Sequence, residues 1–116
     1  MQDVDSKETA APDCSEFTKE IAGYLDAQGR VTQLPTKRRK KLLVLSYLAD
    51  RLPPDMHCTE RQFNELLNTL HTFSDPATLR RELYDYFLID REQGGKGYSV
   101  NADRPSAQDL LDRYCK

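Results

Sequence analysis

The apolar residues fall in short periodic runs punctuated by prolines and glycines. Phe17, Ile21, Tyr24 and Leu25 lie at i, i+4, i+7 and i+8, which predicts an amphipathic helix opened by the capping-box-like pair Asp13 and Glu16 and ending before Gly29. Arg30 to Leu34, bounded by Gly29 and Pro35, carries Val31 and Leu34 among polar residues and reads as a short edge strand. Lys37 to Leu52 places Leu42, Leu45, Leu48, Ala49 and Leu52 on one helical face with Val44 and Tyr47 flanking it, the pattern of a central core helix. It must stop at Pro53 and Pro54, which have no N–H for the helical ladder and push the preceding residue out of helical geometry. Thr59 to Gln62 has the Thr-x-x-Gln form of a capping box, so a helix begins there, buries Phe63, Leu66, Leu67 and Leu70, and runs out near His71 to Phe73.

A third core helix starts with Asp75 as N-cap and Pro76 in the first turn, and its spacing points Leu79, Leu83 and Phe87 inward. Phe87 to Glu92 and Tyr98 to Val100 are β-forming runs separated by Gln93, Gly94, Gly95, Lys96 and Gly97, a glycine-rich turn that predicts a hairpin. After Pro105 a last helix follows, with Ser106 and Asp109 as its cap and Leu110, Leu111 and Tyr114 on its apolar side. Two short helices in close succession followed by a hairpin are the parts of a winged helix-turn-helix. The predicted fold is therefore α+β and mostly helical: a three-helix core, a β-hairpin wing and an added N-terminal helix. Arg30 to Leu34 is expected to pair with the hairpin. Residues 1–12 are too poor in apolar side chains to offset the entropy of ordering and read as an acidic tail. Residues 13–104 form the domain, and 105–116 a terminal helix or tail.

Composition adds limits. The 116 residues suffice for one domain, and the 17 basic against 19 acidic residues give a net charge of -2 that does not by itself announce a polyanionic partner. The distribution is uneven: residues 1–16 carry a net charge of -4, and residues 17–98 a net +2. Cys14, Cys58 and Cys115 are odd in number and widely spaced, which argues against a disulfide framework and for a reduced, cytoplasmic setting. No apolar run approaches a membrane span, and the acidic start lacks the pattern of a secretory signal.

Three ordered blocks carry a resemblance. Tyr24 to Lys41, which contains Gly29-Arg30-Val31-Thr32-Gln33-Leu34-Pro35, is similar to the opening of a bacterial family that shares the block "dGrltqlPakrkkk". Cys58-Thr59-Glu60-Arg61-Gln62-Phe63-Asn64-Glu65-Leu66-Leu67 is similar to "ytErevNeiL", with Cys58 or His57 in place of an aromatic residue. Asp75-Pro76-Ala77-Thr78-Leu79-Arg80-Arg81-Glu82-Leu83, with Arg91 and Gly97-Tyr98, is similar to "D.atLRReL…R…G.Y". Over about residues 17–100 the chain resembles the bacterial domain-of-unknown-function 2087 family. The resemblance implies a winged-helix-like domain, found alone or attached to bacterial regulators, with an expected role in transcription.

The charged residues suggest how such a domain would work. Lys37, Arg38, Arg39, Lys40 and Lys41 crowd the start of a helix, where the dipole disfavours cations, so phosphate is an obvious counter-charge; the alternative is a solvated, solubilising face. Thr78, Arg80, Arg81 and Tyr84 lie on the helix that would enter a major groove, although Glu82 and Asp85 share it and an Arg there could be an ion-pair partner. Lys96 at the wing tip, with Arg91 on its arm, would reach the minor groove or backbone, or simply be a turn residue. His57, Cys58 and His71 do not make a paired-spacing metal site, and neither a phosphate loop nor a nucleophile motif is present. Sequence thus favours a non-enzymatic module without cofactor or metal that binds double-stranded DNA. The competing expectation is a winged helix that binds a protein partner or forms a homodimer.

Overall fold

The computed structural model describes residues 17–92 and 97–115. Helix α1 (Arg38–Asp50) is the pillar of the fold: Leu42 to Ser46, Leu48 and Ala49 are all buried, so it is enclosed on more sides than the single predicted stripe. A two-residue strand β1 (His57–Cys58) leads directly into α2 (Glu60–Asn68), whose capping box forms in both directions. Thr59 Oγ1 accepts from the Gln62 N–H at 3.1 Å, and Gln62 Oε1 accepts from the Thr59 N–H at 2.9 Å. Helix α3 (Pro76–Asp85) opens as expected on Asp75, whose carboxylate accepts from the Thr78 N–H. Strands β2 (Ile89–Arg91) and β3 (Tyr98–Val100) form the predicted hairpin arms, and α4 (Ala107–Tyr114) opens on the reciprocal Ser106–Asp109 cap. No described helix is long and apolar enough to cross a membrane.

The architecture is α+β, with about half of the described residues helical and a three-stranded antiparallel sheet in the order β1-β3-β2. Its register pairs Cys58 with Tyr98 on one side of β3 and Arg91 with Tyr98 on the other. Gly97 permits this close convergence, since a Cβ there would stand 2.8 Å from the Cys58 carbonyl oxygen. One core joins the layers: Leu42, Leu45 and Leu48 of α1, Phe63 and Leu67 of α2, Leu79 and Leu83 of α3, and Leu110 of α4.

Three sequence expectations change. The sheet's third strand is His57–Cys58, not Arg30 to Leu34, because the extended backbone required at the Thr59 cap delivers the two residues before it straight alongside β3. Val31 instead takes the Leu70 carbonyl (2.8 Å) and gives its own carbonyl to Thr72 (2.9 Å), satisfying backbone groups past the end of α2. The first helix is also shorter on its C-terminal side: residues 17–20 are helical, the chain tightens into a 3-10 turn at Ala22–Tyr24, and Leu25 is already extended. Its predicted cap at Asp13 and Glu16, like the tail at 1–12, lies outside the described residues. Finally, Phe87 does not point inward. Helix α3 ends at Asp85, Phe87 has φ of 65°, and its side is exposed, while Leu88 takes the buried place that continued helical spacing would have given Phe87.

Candidate nucleic-acid interface

The basic run begins with Lys37 as the N-cap of α1, a residue that offers no side-chain acceptor, and no acid stands in the first turn. Cations there oppose the helix dipole, so partners must come from elsewhere. Glu20, in the helical turn before α1, supplies them: its carboxylate accepts from Arg39 Nε at 2.7 Å and Nη2 at 2.9 Å, and from Lys40 Nζ at 3.1 Å. Arg38 reaches the Tyr114 carbonyl at the end of α4, where a cation complements the unpaired carbonyls. Lys41 pairs with Glu82 of α3 at 3.3 Å and sits over the Tyr86 ring. Four of the five cations thus hold elements of this chain together, and among the described contacts the run reaches α3 through Lys41.

The Glu20 clamp makes a pH prediction. Hydrogen bonds from Arg39, with help from Lys40, outweigh the opposing effect of partial burial and hold the Glu20 carboxyl at about 2, below its ordinary 4.5. A depressed carboxyl pKa contributes stability that is complete above the unfolded value and is lost as pH falls. Melting temperature should therefore decline between about pH 4.5 and 2 in the native chain, and Glu20→Gln should flatten that part of the profile, as thermal melts followed by circular dichroism would show.

The exposed face of α3 is different. Thr78 and Tyr84 are exposed, and the Arg81 side chain is 83% exposed with only a loose 3.8 Å pairing to Asp85. Arg80, by contrast, is 18% exposed and anchored: its Nη1 donates to Asn64 Oδ1 of α2, Glu60 lies 3.9 Å away, and its guanidinium rests over the Tyr98 ring. Arg91 of β2 covers the same ring. Tyr98 therefore gathers arginines from a helix and a strand, and Arg80, Arg81, Tyr84, Arg91 and Tyr98 line one depression between α3 and the hairpin. A second depression shares Tyr84 and is lined by Asp85, Phe87, Ile89 and Asp90.

Of the predicted site residues, Arg80, Arg81 and Tyr84 come together around a depression that Arg91 completes; Thr78 lies on the same helix, and Lys37 to Arg39 are bound up elsewhere or solvated. Lys96 lies outside the described residues. Sequence reasoning missed Glu20 as the clamp on the basic run and Asn64 as the partner of Arg80; both contacts span many residues and leave no local spacing signature. No group of three or more His, Cys, Asp or Glu able to hold a metal occurs among the described residues. Burial, reinforced by Glu92, pushes the Cys58 thiol up and keeps it protonated, the opposite of what a nucleophile needs.

A family model described as "uncharacterized protein conserved in bacteria (DUF2087)" matches residues 30–100. No curated protein and no solved structure matches the chain.

Proposed function

From a chain that belongs to the bacterial DUF2087 family, we propose a non-enzymatic DNA-binding module of winged helix-turn-helix type that acts in transcription. The element order α1-β1-α2-α3-β2-β3, with β1 and β2 flanking β3, supports the winged arrangement. In that arrangement α3 is the helix presented to the major groove and the hairpin is the wing.

The observation that carries the reading is the depression lined by Arg80, Arg81, Tyr84, Arg91 and Tyr98. Arg81 has the exposure to reach a phosphate or the paired acceptors of guanine, and Thr78 lies near the start of the same helix. Arg80 acts as a strut: Asn64 and Glu60 fix it, and its charge adds to the local field without leaving the protein. Arg38 to Lys41 serve mainly to fasten the N-terminal turn, α3 and α4 to α1.

The test is titration of a mixed-sequence duplex with the full chain at a series of salt concentrations. Native protein should bind with an affinity that falls steeply with salt, and Arg81→Ala should weaken it by about tenfold, the size of one lost charge-assisted arginine–phosphate contact. Absence of binding at low salt would refute the reading.

A further inference from the structure

Phe87 occupies a position that a phenylalanine fills at a cost. The C-terminus of α3 is a Schellman motif: the Leu88 N–H donates to the Leu83 carbonyl at 2.9 Å and the Phe87 N–H to the Tyr84 carbonyl at 3.0 Å. The motif needs a left-handed residue between Tyr86 and Leu88, a place ordinarily taken by glycine, and Phe87 takes it with φ of 65°. The Asn101 amide, donating to the Phe87 carbonyl at 2.8 Å, helps to hold that backbone. Little is gained inside the fold, because the residue is 54% exposed; with Tyr84 at 46% it makes up the exposed large hydrophobic surface of the described residues. A strained backbone that presents an apolar ring to solvent points to a use outside the monomer.

The charges around the rings indicate the occupant. Tyr84 lies at the border of two depressions, one with Arg81 and Arg91 and the other with Asp85, Asp90 and Phe87. A two-fold axis near Tyr84 would lay the basic depression of one molecule on the acidic depression of another, twice over, and bring the Phe87 rings under cover. A self-complementary patch of this kind suits an isologous pair. We infer that this face binds a second copy of the chain. Arg81 and Arg91 also belong to the DNA surface, so self-association and duplex binding would exclude each other; that consequence alone rests on the proposed function.

Sedimentation equilibrium of the full chain without nucleic acid tests the inference independently of DNA binding. Native protein should approach twice its 13.4 kDa mass as concentration rises. Phe87→Gly should remain monomeric while melting no lower than the native chain, since glycine adopts the required backbone freely. Asp85→Arg/Asp90→Arg and Arg81→Asp/Arg91→Asp should each be monomeric alone and pair when mixed. A native chain that stays monomeric to millimolar concentration would overturn the inference. So would a dimer that persists in Phe87→Gly, or charge-reversed variants that fail to pair on mixing although each melts like the native chain.

Discussion

Phe63→Ala is expected to lower the stability of the fold by about 3–5 kcal/mol, the usual cost of removing a fully buried aromatic ring. Phe63 has no exposed surface, and its ring lies 5.3 Å from that of Tyr98, tilted by 35°. It therefore joins α2 to β3, and the same Tyr98 carries Arg80 and Arg91 on its ring. Loss of the Phe63 ring removes dispersion contacts and leaves a cavity at the junction of helix and sheet. Against a domain stability of roughly 5–15 kcal/mol, this is enough to leave a large unfolded fraction at the low end of the range. Urea unfolding should show the midpoint displaced, whereas Leu66→Ala, at a half-buried position one turn away, should move it much less.

His71→Leu is expected to cost about 1–3 kcal/mol although leucine suits a buried site, because a backbone donor loses its partner. The His71 ring is buried between α2 and α3. Its Nδ1–H donates to the Leu67 carbonyl at 2.6 Å, and its Nε2 accepts from the Asp75 N–H at 2.9 Å, which assigns a neutral imidazole with the proton on Nδ1. The Leu67 carbonyl keeps the Leu70 N–H as an alternative donor, but the Asp75 N–H has only His71 to meet it among the described contacts. Asp75 is also the N-cap of α3, so the loss falls on the turn that sets the angle between the two helices. Faster amide exchange at Asp75 and Thr78 than in the native chain, together with a reduced melting temperature, would mark this mechanism. Unchanged exchange there would contradict it.

What could be read from the chain was what is decided within a few residues. The Thr59–Gln62 and Ser106–Asp109 caps and the Asp75-Pro76 helix start are local hydrogen-bonding choices, and all three are where spacing placed them. The hairpin arms were legible from their flanking glycines. The third strand was not, because two residues become a strand only when β3 arrives beside them, and nothing in His57-Cys58 announces that partner. Phe87 was misplaced for a related reason: helical spacing carried past Asp85 points it inward, whereas the Schellman turn rotates the chain and substitutes Leu88. At the candidate site, Arg80, Arg81 and Tyr84 were visible as a charged and aromatic helix face. Which arginine was free was not, since Asn64 and Glu60 come from another helix. The basic run showed the same limit, as five cations look alike until Glu20 and Glu82 take three of them.

The salt dependence of the proposed duplex binding measures the division of labour between those cations and the arginines of α3 and β2. Each phosphate contact adds about 0.9 to the slope of log affinity against log salt. The variant Arg81→Ala/Arg91→Ala should reduce the slope by about 2 if both residues meet phosphate, while Arg39→Ala/Lys40→Ala should leave it close to native. A slope that falls for the second pair and holds for the first would contradict this division and return the proposed DNA contact to the start of α1.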